Sequence, residues 1–223
     1  MPKITQSTFQ FLTDLKKNND RDWFHGHKKV YEKAKQEFTE FIDALIIEIA
    51  KFDKEVAHFT AKETIFRIHR DVRFSKDKSP YKTHMGAHIT SAPKKSEIHT
   101  RAGYYIHLEP GGSMLAGGAY LPESGWLKAI RQEISYNADS LKKIINGPDF
   151  KKYFGEIEGE KLKTAPKDYP KDHPEIDLLK HKSFLATHQC TNAEVLSDDF
   201  LSHCTKVFQA LYPFDQFLNQ ASD

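Results

Sequence analysis

Apolar residues at Tyr31, Ala34, Phe38, Phe41, Ile42, Leu45, Ile49 and Phe52 recur mostly three or four apart, with charged residues between them. That spacing predicts a long amphipathic helix with one face in a core. Upstream, Phe9, Phe11, Leu12 and Leu15 give a shorter helix over Ser7–Asn18 that stops at the turn-forming "NND". From Thr64 the period shortens. "TIFRIHRDVRF" and "MGAHITSA" read as strands, and "GYYIHLEPGGSMLAGGAY" reads as an antiparallel hairpin reversing at Pro110–Ser113. Helical spacing returns after Pro122, with Trp126, Leu127, Ile130 and Ile134, and "ADSLKKIING" adds a further helix stopping at Gly147-Pro148. An irregular proline-rich loop, a short helix from Pro174 and a strand in "SFLATHQ" follow. A last helix, capped by Ser197 or Asp198, carries Phe200, Leu201, Cys204, Val207, Phe208 and Leu211 and should end before Pro213. Helices at both ends of a run of strands indicate an α+β class: one domain over residues 1–223, with an antiparallel sheet of about four to six strands packed by N- and C-terminal helices.

The pattern breaks at one place. If Thr64–Phe74 is a strand, Phe66, Ile68, Val72 and Phe74 share one face and Arg67, His69, Asp71 and Arg73 the other. Arg70 then falls on the apolar face, where an unpaired guanidinium is costly. It requires a bulge, a sheet edge or a buried acidic partner.

Charge sharpens the interest of this stretch. The whole chain carries only +2, but Arg67, Arg70, Arg73, Lys76, Lys78 and Lys82 face only Asp71 and Asp77, a local excess of +4. Of 33 basic residues only six are arginine, and three of those fall within Arg67–Arg73. A chain that otherwise uses lysine for its surface uses the planar guanidinium here, the fork suited to bidentate pairing. The rest of the composition points to an ordinary folded chain. Hydrophobic residues make up 39%, with 16 Phe and 9 Tyr to fill a core. Two cysteines make no disulfide framework, the N-terminus lacks a signal-peptide pattern, and no apolar run is long enough to span a bilayer. These features set the expectation of a cytoplasmic protein without a membrane partner.

Arg67, Arg70, Arg73 and Lys78 are therefore candidate ligands for a phosphate, phosphodiester or carboxylate. His69, Asp71 and Tyr81 are the nearest candidates for proton transfer. Two other readings stand beside this one. The arginines can form a salt-bridge network that holds the fold or an interaction surface. The same segment can also bind nucleic acid, with Trp23, Tyr81 or Tyr104 as stacking surfaces.

The residues Arg67, Arg70-Asp71, Arg73-Phe74, Asp77-Lys78 and Tyr81 spell R-x-x-R-D-x-R-F-x-x-(D/N)-K-x-x-Y. This resembles the signature of a widespread bacterial conserved-hypothetical family, domain of unknown function 2461. "NNDRDWF", "GYYIHLEPGG", "GGAY", Arg131 and "HPEIDLLKHKSF" extend the resemblance over nearly the whole chain. It implies that the arginine motif is the family's common feature. It implies no catalytic role and no cofactor.

Other constellations carry less. The pairs His25/His27 and His84/His88 have even spacing but no metal-binding motif around them, and no metal is expected. Gly111-Gly112 and Gly117-Gly118 lack a phosphate-loop pattern; the second pair would floor a cleft if its strand adjoined the arginine strand. Asp172, His173, Glu175 and Asp177 are either acid–base groups, partners for the arginines, or ordinary helix-start residues. Cys204 lies on an apolar stripe, and Cys190 has only His188 nearby as an activating group.

Overall fold

The stripe at Phe9, Phe11, Leu12 and Leu15 becomes the buried face of helix α1 (Gln6–Lys17) in the computed structural model, which describes residues 2–92 and 98–221. Asp20 then caps α2 (Arg21–Gly26), its carboxylate accepting the Trp23 amide at 2.9 Å. The longest periodic run forms α3 (Lys28–Ile49), which buries Ala34, Phe38, Phe41, Ile42, Leu45, Ile46 and Ile49. Short helix α4 (Ala61–Thr64) begins with a Thr60/Glu63 capping box.

Four strands, β1 (Met85–Thr90), β2 (Gly103–Leu108), β3 (Ser113–Ala119) and β4 (Phe184–Cys190), make one antiparallel sheet in the order β1-β2-β3-β4. The helices α5 (Ser124–Ile145), α6 (Pro148–Tyr153) and α7 (Ile176–Leu179) separate β3 from β4. The chain closes with α8 (Asn192–Val195) and α9 (Phe200–Gln220). The class is α+β. The β2–β3 reversal is a tight turn: the Gly112 amide donates to the Glu109 carbonyl at 2.9 Å, and Gly111 has φ +78° after Pro110. Proline followed by a positive φ is the chemistry of a type II turn.

The contacts group into two compact units. One comprises residues 1–89, 105–115 and 189–206. Within it α1 and α3 pack together, and Phe41 stacks on Phe200 at 5.4 Å. The other comprises residues 90–104, 116–188 and 207–223. Its core contains Tyr104 against Phe208, Phe150 against Phe214, and Trp126, whose indole N–H donates to the Leu218 carbonyl at 3.0 Å.

Three sequence expectations change. The segment Thr64–Phe74 is not a strand: only isolated bridges, Ile65 to Ala87 and His69 to Tyr81, connect it to neighbours. It folds back on itself, the Arg70 amide donating to Pro80 O at 2.9 Å and the Lys82 amide to Ile68 O at 2.8 Å. Beyond that pairing, Asp71 and Asp77 accept the amides of Arg73 and Ser79, so side chains take donors that a ladder would need. The expected apolar face dissolves with the strand. Ile68 is buried, whereas Phe74 is 97% exposed.

The last helix runs through Pro213 instead of stopping before it. Pro213 and Gln209, whose carbonyl loses a partner, are both exposed, while Phe214, Phe217 and Leu218 beyond the proline are buried. Burial of those three side chains outweighs one missing hydrogen bond that water replaces. The two helices expected over residues 124–145 both form, meeting at a kink where Asn137 (φ −126°, ψ 34°) leaves helical backbone values.

Gly117-Gly118 floors no cleft. A Cβ at Gly117 would stand 2.3 Å from Leu211 Cδ2, and one at Gly118 (φ +106°) 2.0 Å from the Phe184 carbonyl oxygen. The pair lets helix α9 and strand β4 close on β3.

Candidate functional site

The arginine loop uses its cations in two ways. Arg70, partly buried, pairs with Asp77 and also donates to the Ser79 carbonyl at 3.2 Å and the Ser75 hydroxyl at 3.3 Å. Its acidic partner is therefore local, supplied seven residues on. Arg73 forms a forked pair with Asp71, at 3.0 Å from Nε and 2.6 Å from Nη2. Hydrogen bonds from Arg73 hold the Asp71 carboxyl down at about 2, and those from Ser79 and Arg70 do the same for Asp77. Lys78 donates to the Val72 carbonyl at 2.9 Å. Arg70, Arg73 and Lys78 thus all bind within the loop itself.

Arg67 and Lys82 differ. Among the described residues neither pairs with a carboxylate. The half-buried Lys82 ammonium lies 5.2 Å from the Phe66 ring centroid, and burial, then the nearby Arg67 charge, lowers its pKa. Lys82 lines a cleft of about 330 Å³ with Lys16, Asn19, Tyr81, Thr83 and His84. Arg67 lines a second, of about 690 Å³, with Tyr31, Lys35, His69 and again His84. His84 is the wall common to both.

Behind His84 lies a polar network that the sequence reading did not identify. Tyr105, His107 and Glu109 project from alternate positions at β2 and its end, while Tyr104, Ile106 and Leu108 turn inward. The Tyr105 hydroxyl is 2.9 Å from His107 Nδ1, and His107 Nε2 is 3.2 Å from Glu109 Oε2. Glu109 Oε1 accepts from Lys16 Nζ and the Thr83 hydroxyl, each at 3.2 Å. Burial disfavours the Glu109 charge, but these hydrogen bonds hold its pKa below the ordinary value. The His84 ring faces His107 at 4.1 Å between centroids. Burial, then His107 and Lys82, pushes His84 down to about 4, so it is neutral at physiological pH. The Y-x-H-x-E alternation was present in "YIHLE" as the outward face of a hairpin strand.

The remaining candidates separate. Tyr81 packs flat on Phe24 at 3.9 Å, and its backbone is pinned at both N–H and C=O by the Asn19 amide. His69 and Asp71 are exposed. Of the three stacking surfaces, Tyr81 and Tyr104 are buried, and Trp23 stacks on His27 at 4.0 Å. Glu175 and Asp177 pair with Lys142 and Lys180, and His173 meets the Ser135 hydroxyl at 3.1 Å. Arg131 donates to the carbonyls of Leu179 and His181, satisfying the end of α7. Burial pushes Cys190 up to about 12 and Cys204 well above its ordinary value, so neither is a thiolate at neutral pH.

The family model for a conserved hypothetical protein, DUF2461, matches residues 7–217. The chain belongs to this family. No curated protein and no solved structure matches it significantly. Among the described residues no helix is long and apolar enough to cross a membrane. Within this DUF2461 chain the motif thus contributes a self-paired loop, the unpaired Arg67, and Tyr81 as a packing residue.

Proposed function

We propose that this DUF2461 protein binds a small anionic ligand, bearing phosphate or carboxylate, beside the Arg67–Lys82 hairpin-like loop. The observation that carries the reading is the pair of cations Arg67 and Lys82, neither in an ion pair with a described carboxylate and close enough for one to lower the pKa of the other. Holding two such charges together without a counter-anion is unfavourable, and an anion between them removes that cost. Lys16 and the neutral His84 line the cleft beside Lys82. Arg70, Arg73 and Lys78 serve by shaping the loop that presents them.

The test is a melting-temperature screen against inorganic phosphate, sugar phosphates, nucleoside phosphates and dicarboxylates. A ligand at about a hundredfold excess over Kd should raise the melting temperature by about 5 °C or more. Arg67→Gln and Lys82→Gln should each remove the shift, with Arg73→Gln retaining most of it. No shift across the panel, or equal shifts in the Arg67→Gln and Lys82→Gln variants, would refute the proposal.

A further inference from the structure

We propose that His84, His107 and Glu109 form a site for one divalent first-row transition-metal ion of the Zn²⁺ or Co²⁺ kind. Each residue offers one ligand atom, and the three atoms lie within 4.8 Å of one another. Bonds of about 2.0–2.2 Å to a shared ion place neighbouring donor atoms about 3 Å apart, so small side-chain rotations close the set. Two imidazoles and one carboxylate suit a borderline ion and disfavour Mg²⁺ or Ca²⁺, which prefer all-oxygen surroundings. Three protein ligands leave further coordination positions for water or substrate, the composition of a catalytic site.

The surrounding groups fit a supported ligand set. The Tyr105 hydroxyl lies at Nδ1 of His107, where it can accept the Nδ1–H and leave Nε2 as donor to the ion. Lys16 and Thr83 both bind Glu109 through Oε1, which orients the carboxylate and leaves Oε2 on the histidine side. Room for Tyr105 comes from Gly86, where a Cβ would stand 3.1 Å from its hydroxyl oxygen. His84 follows the arginine loop and lines both clefts, so an ion held here borders the space where a substrate would enter. The inference stands on these contacts and holds whether or not the clefts take an anion.

The experiment uses the full chain, stripped with chelator and dialysed. Titration with ZnCl₂ in a calorimeter should show one equivalent bound. X-ray absorption of the zinc-loaded protein should show two imidazoles and oxygen ligands without sulfur. His107→Ala and Glu109→Gln should each weaken binding at least tenfold, and His25→Ala should leave it unchanged. Less than one equivalent bound by the wild-type chain overturns the site. So does sulfur in the coordination shell, or binding that survives a folded His84→Ala/His107→Ala double variant. The wild-type stoichiometry and ligand shell decide the matter even if a variant fails to fold.

Discussion

The loop over residues 66–82 and the outward face of β2 are both rich in polar groups, yet they are held differently. In the loop, Asp71 and Asp77 bond amides and guanidiniums two to seven residues away, and the side chains involved are largely solvent-exposed. On β2, three side chains at alternate positions form one chain of contacts, Tyr105 to His107 to Glu109, tied to Lys16 of α1 and Thr83. Local pairs in water are worth little, because solvent screens them and ordering the chain opposes them. A network on a strand has its geometry set by the sheet and is partly removed from water. Charge density alone therefore does not mark the more precisely built region. The loop concentrates cations; the strand concentrates positioned chemistry.

Removing Glu109 should have the largest effect on stability. Glu109→Leu leaves Lys16, Thr83 and His107 without their acceptor and should cost about 2 kcal/mol in urea denaturation. Arg73→Leu in the exposed Arg73–Asp71 pair should give a far smaller change. Equal effects from the two would abolish the contrast between the regions.

A smaller and more local effect is expected at Arg70, which ties Asp77, Ser79 O and Ser75 together. Arg70→Met should speed amide exchange across residues 71–80 and leave that of β2 unaltered. Protection lost in both segments at once would show that the loop and strand open as one unit.

Acid provides the finest separation, through two pH windows. His181 is buried, and its pKa is pushed down to about 4 by burial, then by Lys161. The unfolded chain takes up a proton there below about 6.5. Stability from this group is thus present above 6.5 and lost as pH falls towards 4. Asp71 and Asp77, held down to about 2, contribute above about 4 and lose that contribution only as pH falls towards 2. His181→Asn should make the fall in stability between about pH 6.5 and 4 shallower, the remainder coming from His84, and Asp71→Asn should make the fall between about pH 4 and 2 shallower. A change in the slope of stability against pH above about 5 in Asp71→Asn would contradict the assignment.

Helices α1 and α3 and the β2–β3 hairpin were legible because burial period and turn chemistry are local properties. The sequence composition also singled out the loop, since a +4 excess and three clustered arginines need no neighbours to be seen. It misread that loop as a strand because alternation over eleven residues looks the same whether or not a partner strand is present. Self-pairing at Arg70–Pro80 and the Asp71 and Asp77 turns replaced the ladder. The end of α9 was misread for the opposite reason: a proline is a local stop signal, and burial beyond Pro213 overrode it.

Sequence by itself determined the α+β class, the family and the place where cations gather, because periodicity, motif and charge are written along the chain. Only the tertiary structure decided which cations are already paired and which are not, since that depends on distances between side chains. It also brought His84, at the edge of β1, against His107 on β2, although their numbers differ by 23. Strand order sets such neighbours, and it arises from packing the whole sheet rather than from the spacing of any one segment.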